Sequence, residues 1–206
     1  MRPGTARSKE RPAANRAFLI LLVGVVVGLG ATHFGHHPAN TVGGDADDVK
    51  STLKAALTTD QAMHLPPAAY PTSDQLALQR DTSAEAISRF FTGEARQQEL
   101  AQLDQVIAAE TGASQFVVGA GITDLTYTNL TVGKSTATVQ ATLGTWTKTS
   151  YRTPLGQTVT QEPQAQITVS ATALKQADGR WKISTIKQTV AAIATDSGAP
   201  APPSGN

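Results

Sequence analysis

The chain has 206 residues, 17 Lys/Arg against 16 Asp/Glu, and no cysteine; that length suits one domain with appendages. The missing cysteines exclude a disulfide framework, cysteine-based zinc sites, a thiol nucleophile and a lipidated N-terminal cysteine. The formal charge of +1 argues against a strongly basic nucleic-acid binder, and with only 5% aromatics the core falls to Ala, Val, Leu and Ile.

The charge is unevenly placed. Residues 1–16 carry Arg2, Arg7, Lys9, Arg11 and Arg16 against Glu10, a net +4, while the rest of the chain nets −3. Between them Ala17–Gly35, AFLILLVGVVVGLGATHFG, has no Lys, Arg or carboxylate. As a helix it spans about 28 Å, roughly one bilayer core. The positive-inside rule keeps residues 1–16 cytoplasmic and puts the chain after about residue 36 outside. The competing reading is a cleaved signal peptide. Its small-x-small site, Gly28-Leu29-Gly30, falls inside the apolar run, and no Ala-x-Ala follows, so an uncleaved single-pass anchor in the lipid bilayer is expected. Gly24 and Gly28 form a G-x-x-x-G pattern that would let two such helices pack closely, a route to a homodimer.

His36–Ala46 reads as a polar linker. Asp47–Asp60 reads as a helix, with Val49, Leu53, Ala56 and Leu57 at helical spacing and acids in its first turn. Pro66, Pro67 and Pro71 break Leu65–Ser73. Thr82-Ser83-Ala84-Glu85 fits a capping box opening a helix with Ile87, Phe90 and Phe91 on its apolar face. Gly93 separates this from Glu94–Glu110, whose stripe is Leu100, Leu103, Val106 and Ile107.

From Gln115 the period becomes two. Leu125 and Tyr127 alternate with Thr, Gly133-Lys134 is a turn, and Ala137, Val139, Ala141 and Leu143 mark a half-buried strand. One straight strand over Ser135–Arg152 would run about 60 Å, far beyond usual lengths, so a bulge is expected at Gly144. Thr153–Gln157 reads as a loop. A strand through Ala165, Ile167, Val169, Ala171 and Ala173 follows. Asp178-Gly179 predicts a two-residue hairpin turn, with Leu174 opposite Ile183 and Ala171 opposite Ile186. The last strand carries Trp181, Ile183, Ile186 and Val190.

The expected fold is α+β: an N-terminal transmembrane helix, then helices packed on a curved four-stranded antiparallel sheet, a half-barrel or cone. The expected divisions are 1–16 cytoplasmic tail, 17–35 membrane helix, 36–46 linker, 47–72 helix and Pro-rich connector, 73–190 α+β domain and 191–206 disordered tail.

This order, closed by the hairpin Ala177-Asp178-Gly179-Arg180-Trp181-Lys182-Ile183, resembles the nuclear transport factor 2-like (cystatin-like) superfamily, many of whose domains end in D-G-x-W-[KR]-[IV]. With a basic tail and one membrane helix it looks like actinobacterial proteins associated with mammalian-cell-entry lipid transport, or bitopic type IV secretion and conjugation components. Enzymes of the superfamily work inside the cone with a His, Asp or Tyr. Here all four His (His33, His36, His37, His64) precede the sheet, and Asp124, Glu162 and Asp178 are the only carboxylates between Gly112 and the tail. No catalytic, cofactor-binding or metal-ligating residue is therefore assigned. Tyr127 and Asp124 are the least implausible catalytic participants, and His33, His36 and His37 lack the fixed geometry a metal needs. Asn129-Leu130-Thr131 is a sequon read as chance. Trp146 and Tyr151, with Lys148 and Arg152 beside them, have the composition of an interface anchor. Trp146, Tyr151 and Arg152 are thus the candidate partner surface. A non-catalytic accessory protein binding other envelope proteins or itself is expected; alternatives are an apolar-ligand (lipid) carrier and an anchored enzyme.

Overall fold

The computed structural model describes residues 43–111, 115–152 and 155–194. The membrane segment with Gly24 and Gly28, and His33, His36 and His37, lie outside the described residues. Among the described residues no helix is long and apolar enough to cross a membrane.

Three helices precede the strands: α1 (Gly43–Ala62), α2 (Ser73–Phe90) and α3 (Gly93–Glu110). The first turn of α1 takes in residues 43–46, beyond the start expected at Asp47. Asp45 secures it there, its carboxylate accepting from Lys175 Nζ at 2.6 Å and from Trp181 Nε1 at 3.4 Å. The start of α2 differs from expectation. Thr72 caps it, its hydroxyl accepting from Gln75 N–H while Gln75 Oε1 accepts from Thr72 N–H. The Thr82–Glu85 sequence instead lies inside the helix, where Thr82 Oγ1 donates to Leu78 O at 2.8 Å.

Five strands follow: β1 (Gln115–Val132), β2 (Thr136–Arg152), β3 (Thr158–Gln161), β4 (Gln164–Lys175) and β5 (Trp181–Ala194). The sheet is antiparallel in the order β1-β2-β4-β5, with β3 also on β2. The fifth strand, absent from the four-stranded expectation, extends the line of β4. Gln161 faces Thr149 and Gln164 faces Trp146 in one continuous register, interrupted by Glu162 and Pro163. β5 continues to Ala194, four residues past the expected strand end.

Bending does not come from a bulge at Gly144. β2 pairs with β4 without a register shift. The extra residues sit on the two outer strands, at three places in β1 and two in β5. Asp124, at φ 52, occupies one of the β1 irregularities. Lengthening the outer strands curves the sheet while the central pair stays regular, and it breaks up both free edges. Gly144 has a different role: it faces Thr123, whose hydroxyl occupies the place a Cβ would take.

The β4–β5 turn spans three residues. Gln176 N–H donates to Arg180 O, and Gly179 takes φ 83, so Asp178-Gly179 closes as a turn with a left-handed third residue. Leu174 therefore faces Lys182, and Ile183 faces Ala173; the later β5 shift restores Ala171 opposite Ile186.

The core lies between the helices and one face of the sheet. Val49, Leu53, Ala56 and Leu57 of α1, Ile87 of α2 and Leu103 and Val106 of α3 are buried with alternate residues of β2 and β4. Cross-strand pairs widen along the sheet from Ala137–Ala173 to Leu143–Ile167, so the small pairs leave room for close helix approach. The described residues have a proximal end, with the start of α1, the β1–β2 turn and the β4–β5 turn. Phe91 and Thr92 pair there with Ile183. The distal end holds the Pro-rich connector, the β1 start, the β2 end and β3; Tyr70 meets Phe116 edge-on at 4.8 Å.

Candidate functional site

The residues picked out as a partner surface do not form one cluster. Trp146 and Tyr151 are five positions apart on a regular strand and so project to opposite faces. Trp146 is half-buried because its indole lies over Gly119 and Gly121; a Cβ on either would come within 2.9 Å of the ring. Tyr151 and Arg152 pair across from Val159 and Thr158 of β3, with Tyr151 half-buried and Arg152 exposed. Lys148 is 3.8 Å from Glu162.

Tyr127 donates its hydroxyl to Lys50 O at 2.7 Å, and Lys50 Nζ lies 5.9 Å from its ring centre. Burial pushes the phenol pKa up, so it stays protonated and committed to this contact. Lys50 and residues 125–130 line an open groove of about 520 Å³. Asp124 is exposed and is not part of that lining.

The most unusual chemistry lies under the sheet, on residues that the sequence did not single out. Asp60, in the last turn of α1, and Glu99, in the middle of α3, are each only 4% exposed. Asp60 extends the stripe Val49-Leu53-Ala56-Leu57 by three positions. On α3 the buried positions are Ala95, Glu99, Leu103 and Val106, so the inward face is centred one residue from the Leu100–Ile107 stripe and places Glu99 on it. The carboxylates weighed in the sequence, Asp124, Glu162 and Asp178, all follow Gly112; the helices bring a different pair together.

Asp60 Oδ2 accepts from Gln61 Nε2 at 3.1 Å and from Gln188 Nε2, on β5, at 3.5 Å. Asp60 Oδ1 and Glu99 Oε2 are buried with no donor. Burial, then the Asp60 charge and the hydrogen bond to Asp60, raise the Glu99 pKa to about 9. Glu99 is therefore neutral at pH 7 and can donate its proton to Asp60. Half-buried His64, just beyond α1, lies 3.3 Å from Gln102 Nε2; burial lowers its pKa against the opposing pull of Asp60. Glu110, at the end of α3, has both oxygens buried without a donor, and burial raises its pKa to about 7 against a weaker pull from Gln79. Among the described residues no three His, Cys, Asp or Glu are placed to hold a metal ion. A helical wheel that marked carboxylates on the buried stripes would have flagged Asp60, Glu99 and Glu110.

No protein-family model matches the chain, and no curated protein sequence matches it. Solved structures do. The intermembrane-space region of the chloroplast protein ARC6 aligns with a TM-score of 0.48 and 15% identity, over 71% of this chain and 97% of that one. A periplasmic fragment of TraM aligns at 0.44 and 10% identity, over 70% and 97%. A proposed ketosteroid isomerase from Shewanella frigidimarina aligns at 0.30 and 14% identity, over 55% and 91%. These are similarities of chain path.

Proposed function

We propose that this chain is a non-catalytic accessory protein of a bacterial envelope transport or secretion assembly. In this reading residues 17–35 anchor it in the membrane, and a nuclear transport factor 2-like domain stands outside. The distal end of that domain meets another envelope protein or a second copy. The observation that carries the reading is where the exposed apolar side chains lie. Among the described residues Tyr70, Val118, Leu155 and Ile193 gather at the distal end, with Leu155 86% and Tyr70 71% exposed, while Leu174 at the proximal end is only 37% exposed and Leu78 and Val190 lie apart on α2 and β5. The start of α1 is at the opposite, proximal end, one helix length of about 30 Å away. Exposed apolar groups gathered at one end of the domain suit a protein contact.

The other two readings have less support. The side chains that would line a ligand cavity, Phe91, Leu103, Leu143 and Ile183, are at most 1% exposed. The carboxyl pair is as closed to a substrate as it is to water. The test is affinity capture of the full chain from detergent-solubilised membranes, with mass measurement. The wild type should recover a partner or a dimer, and Leu155→Asp combined with Val118→Asp should lose it. A monomer that brings nothing down would overturn the reading, and a co-purifying lipid in native mass spectrometry would favour the carrier instead.

A further inference from the structure

The geometry points to Asp60 and Glu99 as a latch of two carboxyls sharing one proton, which holds α1, α3 and β5 together and loosens when that proton leaves. Gln188 of β5 donates to Asp60 of α1, and Glu99 of α3, buried to the same 4% exposure, interacts with Asp60 through its side chain. The side-chain amides of Gln61 and Gln188 both point at Asp60 Oδ2, so neither serves Asp60 Oδ1 or Glu99 Oε2, which are buried without a donor. Two ionised carboxylates buried side by side would have neither water nor a cation to offset their charge. One proton, carried by Glu99 and donated to Asp60, turns the repulsion into a charge-assisted hydrogen bond.

The surrounding charges do not offer another answer. On α1 and just beyond it, Asp60 is faced by His64, which burial keeps neutral at pH 7. Glu99 is the α3 acid that interacts with Asp60, and β5 contributes the neutral Gln188. On α2, Arg80 is bonded to Asp104 and Arg89 to Glu85. Lys182 of β5 donates to Ser88 O. The elevated Glu99 pKa, about 9, agrees with a proton retained through neutral pH.

Loss of the proton is a deprotonation to solvent base, with no other bond made or broken. A carboxyl that is harder to ionise in the folded state binds its proton more tightly there than in the unfolded chain. Its contribution is whole below the unfolded value and is lost as pH rises through the folded one.

The test is urea unfolding of the full chain in mild detergent between about pH 7.5 and 9, where the wild-type folding constant should fall by up to about tenfold per pH unit. Glu99→Gln keeps an N–H to donate to Asp60 and has no proton to lose, so it should flatten the slope. Glu110→Gln, whose group titrates near 7, should leave the slope in this window unchanged. A Glu99→Gln slope equal to that of the wild type would overturn the latch. Should that variant fail to fold, infrared spectroscopy of Glu110→Gln at about pH 8, which removes the group that titrates near 7, decides: a protonated carboxylic acid C=O band there supports the latch, and its absence overturns it.

Discussion

Gly119 and Gly121 show how a residue's meaning depends on what the fold puts beside it. Gly119-Ala120-Gly121 carries no motif, and Trp146, 25 positions after Gly121, reads as an interface anchor. Register joins them: Gly121 faces Trp146 directly across β1–β2, and only hydrogen on Cα leaves space for the indole. Gly121→Ala forces a rigid ring to move and should cost about 1–3 kcal/mol, with a shift in tryptophan emission. Gly44→Ala is the contrast. Its Cβ would meet nothing within 4 Å on α1, and restricting the unfolded chain should add up to about 0.5–1 kcal/mol. Both are measurable by denaturant unfolding, and equal effects would show that the Trp146 packing is unimportant. Nothing in the sequence pairs these residues, because the pairing depends on bulges in β1 that have no sequence signal beyond Asp124.

Elements were legible where a period repeats and less so where a short motif occurs twice. The alternation from Ala137 to Leu143 and from Ala165 to Ala173 placed β2 and β4 correctly, because half-buried strands require it. The start of α2 was harder to read. Thr-x-x-Gln at 72–75 and Thr-x-x-Glu at 82–85 both satisfy the capping pattern, and the chain uses the first, immediately after Pro71. Once the helix is running, Thr82 returns its hydroxyl to Leu78 O, so its capping potential goes unused. Thr72→Ala should cost about 1 kcal/mol, and Thr82→Ala, on an exposed helix face, should be neutral or slightly stabilising by up to about 0.5 kcal/mol. Urea midpoints of the two variants compare the sites directly, and the reverse ranking would place the helix start at Thr82. The inward carboxyls were missed for a related reason: a stripe drawn through apolar residues alone passes over Glu99 and Glu110, which lie on the same face.

For the molecule as a whole, these carboxyls set how stability follows pH, and the two classes act in opposite directions. Asp45 is held below its usual value by the hydrogen bond from Lys175, with Trp181 adding to it; Asp178 is held down by Arg180. Such groups stabilise above their unfolded pKa of about 4 and lose that contribution as pH falls through their folded values. Glu110 and Glu99 are raised, to about 7 and about 9. Their contributions are whole below the unfolded value of about 4.3 and decline as pH rises through 7 and then 9. His64, which burial holds neutral, acts against the raised carboxyls and costs stability as pH falls below its unfolded value of about 6.5, so the stability maximum should fall at mildly acidic pH, about 5 to 6, the lower end of the ordinary range of about 5 to 8. Above it, Glu99 costs up to about 1.4 kcal/mol per pH unit. Part-exposed Glu110 adds a smaller slope that ends near 7. Calorimetry across pH 3.5 to 9 checks this: Glu110→Gln should flatten the profile only below about 7, and Glu99→Gln should move the maximum toward neutrality. A wild-type maximum already near neutrality would mean that the buried carboxyls are ionised in the folded chain, with water or a cation reaching beneath the sheet to offset them.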